Sequence, residues 1–162
     1  MNICIVGYGS IGRRHHSVLR SLLGSNAIFT IVDIDTETKI EDICKDNFDI
    51  LVVCTPTSNH LEIASKFSNI KKLIFIEKPL GVNSKNIEDY RDKIDIEKVH
   101  VGCNLRFTAP VKKIRKLSKT AKLVNVVSMS YLPNWHPTKN HLESYSANQH
   151  LGGGVVLDFI HE

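Results

Sequence analysis

Long hydrophobic runs are missing from this 162-residue chain, and no apolar stretch approaches the roughly 18 residues that a membrane-spanning helix needs. Met1 and Asn2 lead directly into a strand-like segment, so we expect no secretory signal peptide. No low-complexity tract or internal repeat is present. These absences predict a globular cytoplasmic protein with no membrane partner.

Cysteine is scarce, and the four cysteines show no C-x-x-C spacing. Three of them lie within or beside strand-like segments. We therefore expect small, buried, apolar side chains in a reducing compartment, with neither a disulfide framework nor a metal site. The four residues are Cys4, Cys44, Cys54 and Cys103.

Aromatic residues make up only 7% of the chain, whereas the formal net charge is +4. Much of that charge comes from a basic segment, but Val111, Ile114 and Leu117 interrupt it at helical spacing. This pattern is typical of an amphipathic helix with a solvated basic face, and no aromatics are interleaved to stack on bases. We expect no nucleic-acid partner. The basic residues are Lys112, Lys113, Arg115, Lys116, Lys119 and Lys122.

Apolar strand-like segments alternate with helix-like segments over most of the chain. This alternation predicts an α/β protein with a doubly wound parallel (Rossmann) sheet. We expect a first domain over residues 1–120, and over 121–162 the start of an α+β substrate domain with a long strand near 123–131. The other expected strands lie near 2–6, 28–33, 49–54, 73–76 and 98–102, and the expected helices near 11–23, 37–46, 59–67 and 84–93, the last capped by Ser84.

A glycine-rich motif follows the first predicted strand and opens the first predicted helix. It reads Gly7-Tyr8-Gly9-Ser10-Ile11-Gly12-Arg13. In this strand–turn–helix context G-x-G-x-x-G indicates dinucleotide binding. Gly7 permits the tight turn, Gly9 lets the backbone approach a pyrophosphate, and Gly12 lets the helix pack on the strand.

An acidic residue, Asp33, ends the second predicted strand about 20 residues after the motif. A carboxylate at this place accepts hydrogen bonds from ribose hydroxyls and repels a 2′-phosphate, which favours NAD over NADP. Two alternatives stay open. Asp33 could be a solvated turn residue, since Asp35 and Glu37 follow, and Arg13 with Arg14 could instead contact a 2′-phosphate.

Lys78 ends the strand near 73–76 and precedes Pro79. In doubly wound sheets ligands bind beyond the carboxyl ends of the strands. A lysine there could hold a substrate oxygen or tune a proton transfer. The alternative is a surface lysine at a strand end.

Four motifs, taken together and in order, resemble the signature of the Gfo/Idh/MocA oxidoreductases. The resemblance implies an NAD(P)-dependent enzyme that acts on sugars, inositols or sugar derivatives. The motifs are Gly7-Tyr8-Gly9-Ser10-Ile11-Gly12, Thr55-Pro56-Thr57-Ser58-Asn59-His60, Glu77-Lys78-Pro79-Leu80 and Gly152-Gly153-Gly154 with Asp158 and His161.

The resemblance also implies a role for each matched position. Lys78 is expected beside the nicotinamide and the reacting hydroxyl, and Asp158 and His161 are expected to bind substrate and to act as acid and base. The expected cofactor is NAD, and the expected partners are a small-molecule sugar and, in the full-length protein, further copies of the chain. Expected cofactor contacts are Gly7, Tyr8, Gly9, Ser10, Ile11, Gly12, Arg13, Asp33, Thr55, Pro56, Thr57, His60, Glu77, Lys78 and Pro79.

The chain departs from the family's pattern in three ways. Asp158 and His161 are three positions apart instead of four, which keeps both on one helical face. Only about 16 residues separate Asp33 from the next strand, so we expect the sheet to lack an edge strand there. The chain ends just after His161, so the resemblance implies the amino-terminal half of an oxidoreductase.

Two functions follow as expectations. The first is hydride transfer between nicotinamide and a hydroxyl-bearing carbon of a sugar, with a nucleotide-activated or amino sugar as first candidate. The segment from Tyr131 to Ala147 favours that candidate, because it is similar to members in polysaccharide or nonulosonic-acid biosynthesis. The second is a non-catalytic NAD(H)-binding module, or an inactive truncated remnant.

Overall fold

Five parallel strands form one sheet in the computed structural model. It describes residues 1–43, 47–67, 69–135, 137 and 140–159, of which 158 and 159 are described without their side chains. The strands lie side by side in the order β2-β1-β3-β4-β5. Val6 of β1 pairs with Val32 on one side and with Val53 on the other. The strands are β1 (Asn2–Val6), β2 (Ile28–Val32), β3 (Ile50–Val53), β4 (Leu73–Ile76) and β5 (Val99–Val101).

Both faces of the sheet are covered, because the central strands carry apolar side chains on either side. On β1, Ile3 and Ile5 face a cluster that contains Val52 and receives Leu19 from the first helix. Val6, on the opposite face of the same strand, belongs to the larger cluster around Phe67 and Ile74. This two-sided core confirms the predicted doubly wound sheet.

Five α-helices accompany the strands in the described part of the chain. The first begins directly after the glycine-rich loop and ends where Gly24 turns with a φ of 56°. The helices are α1 (Ser10–Leu23), α2 (His60–Ser65), α3 (Ser84–Tyr90), α4 (Ala109–Leu117) and α5 (Val155–Phe159).

Two local predictions were wrong. The helix expected over 37–46 is reduced, in its described part, to a 3₁₀ turn over Ile40–Asp42, and residues 44–46 lie outside the described residues. Helix α3 is capped not by Ser84 but by Asn83, whose side chain accepts a hydrogen bond from Asn86 N. By contrast, no strand lies in residues 33–43 and 47–49, which confirms the expected loss of an edge strand.

The cysteines of the sheet are buried as expected. Burial raises the pKa of Cys4 to about 12, and burial together with the negative charge of Glu77 raises that of Cys54 to about 12. Both thiols are therefore protonated and apolar at neutral pH. Cys103 is half-buried, and Cys44 lies outside the described residues. Within the described residues, no group of three or more His, Cys, Asp or Glu could hold a metal ion.

The chain divides into two compact units, Met1–Gly102 and Cys103–Glu162. The sheet and every buried hydrophobic side chain found in the described residues belong to the first unit. The division falls at residue 102, whereas the sequence places a domain boundary near 120. The domain assignment itself stays a prediction.

The long strand expected near 123–131 was wrong, because these residues form no strand in the structure. Their apolar side chains are exposed, with Leu123 at 85% and Met129 at 88%. A strand exists only where a neighbouring strand accepts its backbone hydrogen bonds, and this segment pairs with none among the described residues. No helix in the described ranges is both long and apolar enough to cross a membrane.

Candidate functional site

The glycine-rich loop joins β1 to α1 and lies against the end of β3. Gly7 has a φ of 92°, and its N–H donates to Val32 O over 2.8 Å. A Cβ on Gly7 would lie 2.6 Å from the carbonyl carbon of Cys54, and a Cβ on Gly12 would lie 2.0 Å from Gly7 O. A Cβ on Gly9 would meet no atom within 4 Å. The loop is therefore closely packed on its inner side and open where α1 begins, as a phosphate-binding turn requires.

A cavity of about 680 Å³ lies beside this loop, a size suited to a nucleotide-sized ligand. It lies at the carboxyl ends of β1, β2 and β3, where the strand order reverses and where doubly wound sheets bind dinucleotides. The residues that line it include Gly7, Gly9, Asp33, Lys39, Thr55 and Pro56.

Asp33 follows β2 and faces the glycine-rich loop. Its Oδ2 accepts a hydrogen bond from Tyr8 N, and its Oδ1 accepts one from Asp35 N over 3.4 Å. Thr36 Oγ1 accepts from Asp33 N over 2.8 Å and so fixes the turn. An ionised carboxylate offers about four acceptor positions, so Asp33 keeps capacity for ribose hydroxyls.

Lys39 supplies a positive charge on the same side of the cavity. Its ammonium donates to Ile34 O over 2.9 Å and to Thr36 O over 2.7 Å. The lysine therefore closes the turn after β2 through backbone carbonyls. Sequence reasoning missed this residue, because it placed a helix where the structure has a turn.

Thr55 follows β3 and belongs to the lining of the cavity. Its Oγ1 is buried and has no hydrogen-bond partner in the described structure. A buried hydroxyl without a partner is costly unless a ligand or water satisfies it. Together with the open backbone at Gly9 and the carboxylate of Asp33, this orphaned hydroxyl fits a bound dinucleotide. Thr57, in the same loop, is buried and only 1% exposed, and its expected contact with the cofactor stays a prediction.

The Glu77-Lys78-Pro79 turn follows β4, the strand next to β3. Glu77 Oε1 lies 2.6 Å from Nε2 of His15 on α1, and Glu77 Oε2 accepts from Lys78 N over 3.1 Å. Lys78 is half-buried, and its peptide bond to Pro79 is cis. The pairing with His15 was missed from the sequence, because the two residues are 62 positions apart.

His60 begins α2 and is only 1% exposed. Its Nε2 lies 2.8 Å from Thr55 O, and its Nδ1 lies 2.9 Å from Pro79 O. Burial lowers the pKa of His60, against the opposing effect of these two carbonyls. Both ring nitrogens therefore face backbone of the chain itself, and its expected direct contact with cofactor stays a prediction.

Tyr8 and Arg13 of the motif are anchored to each other. Arg13 Nε donates to Tyr8 O over 3.0 Å, and its guanidinium carbon lies 5.1 Å from the centre of the Tyr8 ring. Tyr8 OH lies 2.6 Å from His16 Nδ1, and burial, reinforced by the nearby charge of Arg20, lowers the pKa of His16. A neutral His16 accepts a hydrogen bond from Tyr8 OH when its Nδ1 carries no proton.

The structure brings three of the four motifs together in the first compact unit: the glycine loop, the Thr55 loop and the Glu77 turn. Ser10 begins α1, and Ile11 behind it is 37% exposed. Asp158 lies on α5, but its side chain is not described, and His161 lies outside the described residues. Their catalytic roles stay predictions.

Comparison with known proteins agrees with this geometry. Residues 1–105 match the family described as the oxidoreductase family Gfo/Idh/MocA, NAD-binding Rossmann fold. This match confirms the predicted family and NAD as the cofactor of the domain.

Among curated relatives, myo-inositol 2-dehydrogenase of Thermotoga maritima is 27% identical over 135 residues, which cover 72% of this chain and 40% of that protein. The chain therefore spans about two fifths of that relative. Inositol 2-dehydrogenase of Rhizobium meliloti is 31% identical over 72 residues, 43% of this chain and 22% of that protein.

Solved structures show the same fold. An NAD-binding protein from Listeria innocua matches with a TM-score of 0.63 and 20% identity, over 98% of this chain and 51% of that one. The WlbA dehydrogenase from Bordetella pertussis, solved with NADH and UDP-GlcNAcA, matches with a TM-score of 0.57 and 18% identity, over 74% and 42%. From its motifs, its sheet and these matches, the chain belongs to the Gfo/Idh/MocA family of oxidoreductases.

Proposed function

We propose that this chain carries the cofactor half of an NAD-dependent enzyme that moves a hydride between nicotinamide and a hydroxyl-bearing carbon of a sugar or sugar derivative. The observation that carries the proposal is the cavity at the strand-order reversal, whose lining includes Asp33 and also Thr55, a residue with a buried hydroxyl that lacks a partner. Lys78 ends the next strand along, which supports a reacting centre on that side.

The preference for NAD follows from the charges around Asp33. Its carboxylate, oriented by Tyr8 N, would hydrogen-bond ribose hydroxyls and repel a 2′-phosphate. The nearest lysine of the cavity, Lys39, is engaged with backbone carbonyls, and Arg13 is stacked on Tyr8. Both positively charged side chains therefore form contacts within the protein.

The chemistry assigned to the chain's own residues is proton handling and charge stabilisation. Bound NAD supplies the hydride acceptor. As a carbinol carbon loses hydride, its hydroxyl proton must leave, and His161 takes that proton because the unperturbed pKa of histidine is about 6.5. Lys78 stabilises the negative charge that develops on the oxygen, and Asp158 binds the substrate. The carbinol is thereby oxidised to a carbonyl group, and the same steps in reverse reduce the carbonyl group to the carbinol.

A nucleotide-activated or amino sugar is the first candidate substrate. The support is the polar segment from Tyr131 to Ala147, and also the structural relative solved with UDP-GlcNAcA. The curated relatives favour inositol instead, as their names state. A panel of both classes decides between them.

Cofactor titration tests the first half of the proposal. NADH and NADPH are titrated into the purified chain, and binding is followed by nicotinamide fluorescence. We expect NADH to bind more tightly, and Asp33→Asn to weaken NADH binding about tenfold, the size of one lost charge-assisted hydrogen bond. Asp35→Asn, in the same turn but exposed, is the control and should change little. No binding of either nucleotide, or tighter binding of NADPH, would refute this proposal.

Turnover tests the second half. The chain, combined with a carboxyl-terminal domain, is assayed with NAD and sugars, and NADH formation is followed by absorbance. We expect Lys78→Ala and His161→Ala to abolish turnover, and His161→Ala to leave NADH affinity largely unchanged. NADH binding without turnover on any sugar would favour the non-catalytic module.

A further inference from the structure

A single buried side chain bridges the two loops that follow β3 and β4. His60 contacts Thr55 O within its own loop at 2.8 Å and Pro79 O in the neighbouring loop at 2.9 Å. The ring is 1% exposed, so neither contact has to compete with bulk water. The contact to Pro79 links the two loops, whereas the contact to Thr55 closes only one of them.

The chemistry of the ring limits what it can do at one time. Both partners are carbonyl oxygens, which only accept hydrogen bonds, and a neutral imidazole has one N–H. A neutral His60 therefore donates to one carbonyl and turns a lone pair toward the other, whereas a protonated ring would donate to both. In the neutral ring, the nitrogen that carries the proton decides whether the loops are linked.

A donor on the side of Pro79 would restrain the turn that carries Lys78. Proline has no N–H, so its carbonyl is the group through which Pro79 can be held by a hydrogen bond. On the other side of Lys78, Glu77 is already held through His15 at 2.6 Å and through Lys78 N at 3.1 Å. A donor to Pro79 O would complete the restraint of the turn on both sides of Lys78.

We propose that His60 is a positioning residue, whose Nδ1–H donates to Pro79 O and thereby holds Lys78 after β4, on the side where the nicotinamide of a bound NAD would lie. This inference rests on the proposed function. The strand order β2-β1-β3-β4 supports the assignment of sides. A dinucleotide with its adenosine ribose at Asp33 after β2 and its pyrophosphate at the loop after β1 would extend its second nucleoside toward β3 and β4.

Two substitutions separate the two contacts. Asn places its amide where Nδ1 lies, and so His60→Asn keeps a donor for Pro79 O. Gln reaches as far as Nε2, and so His60→Gln keeps a donor for Thr55 O only. His60→Leu removes both donors, and His100→Leu, an exposed histidine of β5, is the matched control.

The affinities of ADP-ribose and NADH are measured for each variant. We expect His60→Gln and His60→Leu to bind NADH about fivefold to tenfold more weakly, roughly the cost of one lost hydrogen bond, while ADP-ribose binding stays unchanged. His60→Asn should bind both ligands as the wild type does. Equal weakening of both ligands, unchanged NADH binding in all variants, or rescue by Gln in place of Asn would overturn the inference. If the wild type binds neither ligand, the proposed function fails instead.

The protonated nitrogen can also be observed directly. Nitrogen NMR of the chain labelled at histidine distinguishes the two neutral tautomers of a ring. We expect the Nδ1–H form for His60, which is not the form that dominates for histidine in water. A spectrum with the proton on Nε2 would overturn the inference, whatever the affinities show.

Discussion

Gly7 and Gly9 belong to the same glycine-rich motif, but different physical requirements favour glycine at the two positions. Gly7 adopts a φ of 92°, and its missing side chain makes room for the backbone of Cys54. Gly9 has an ordinary extended backbone and free space around it. The first residue is thus required by the fold, whereas the second is required only if a phosphate approaches.

This difference predicts opposite outcomes for two alanine substitutions. Gly7→Ala should lower the free energy of unfolding by more than about 2 kcal/mol, because a β-carbon meets both strain and overlap. Gly9→Ala should change stability by less than about 0.5 kcal/mol and weaken NADH binding instead. Denaturant unfolding and NADH titration measure the two quantities. A stable Gly7→Ala protein would contradict this account of the loop.

At His60 the burial of the ring makes stability depend on pH. Because burial lowers the folded-state pKa, the unfolded chain binds a proton below about pH 6.5 that the folded chain does not. The contribution of neutral, buried His60 to the free energy of unfolding is present in full above that pH and is lost as the pH falls below it. We expect His60 to contribute a slope of up to about 1.4 kcal/mol per pH unit below about pH 6.5.

Urea unfolding of the wild type and of His60→Asn between about pH 7.5 and about pH 5 measures this slope. The variant should lose less stability toward acid than the wild type. His100→Asn, at an exposed histidine of β5, is measured in the same way as the control. Equal slopes for all three proteins would mean that His60 does not titrate differently in the folded state.

Among the helices, α3 shows how a cap can be misassigned by one residue. The sequence Asn83-Ser84 offers two capping residue types in succession, and both satisfy the pattern. In the structure Asn83 has the extended backbone of a cap, and its Oδ1 accepts from Asn86 N over 2.8 Å. The choice depends on where the chain leaves the turn before the helix, which propensity does not specify.

A matched pair of alanine substitutions tests this assignment. Asn83→Ala should destabilise the protein by about 1 kcal/mol, the typical cost of a lost cap. Ser84→Ala, one position later, should have little effect. Thermal or chemical unfolding gives both values, and the reverse order would restore Ser84 as the cap.

The segment 123–131 shows the limit of pattern reading for strands. Its alternating apolar residues predict a strand, yet a strand depends on a partner that the pattern does not identify. Val126 is 79% exposed and Met129 is 88% exposed. Helix α4, by contrast, forms as predicted from Val111, Ile114 and Leu117, because its hydrogen bonds are local.

For the whole molecule, stability is concentrated in the first compact unit. All buried hydrophobic side chains that the structure describes lie between Ile3 and Ile94. A unit that contains the whole described core should fold without the remainder.

A shortened chain tests this expectation. A protein that ends at Gly102 should unfold cooperatively, with a midpoint within about 5 °C of the full chain, which corresponds to about 1 kcal/mol. It should also retain ADP-ribose binding, because the cavity residues all precede residue 64. Circular dichroism and ADP-ribose titration measure both. Loss of cooperative unfolding would show that residues beyond 102 support the sheet.

The sequence alone determined the five strands of the sheet and the helices that follow β1, β3 and β4, together with the glycine-rich loop and the acidic residue after β2. These features are local: apolar runs, turn residues and one spacing of about 20 residues. It also placed Lys78 at the end of β4 and predicted the missing edge strand, because chain length limits what a connection can hold.

Only the tertiary structure decided which side chains meet. His15 reaches Glu77 across 62 positions, and His60 reaches Pro79 across 19. These contacts arise because parallel strands bring distant loops to one edge of the sheet, and no periodicity in the sequence encodes which side chains face each other there. For the same reason the sequence could name His60 as a site residue, but only the packed sheet shows it turned toward two backbone carbonyls.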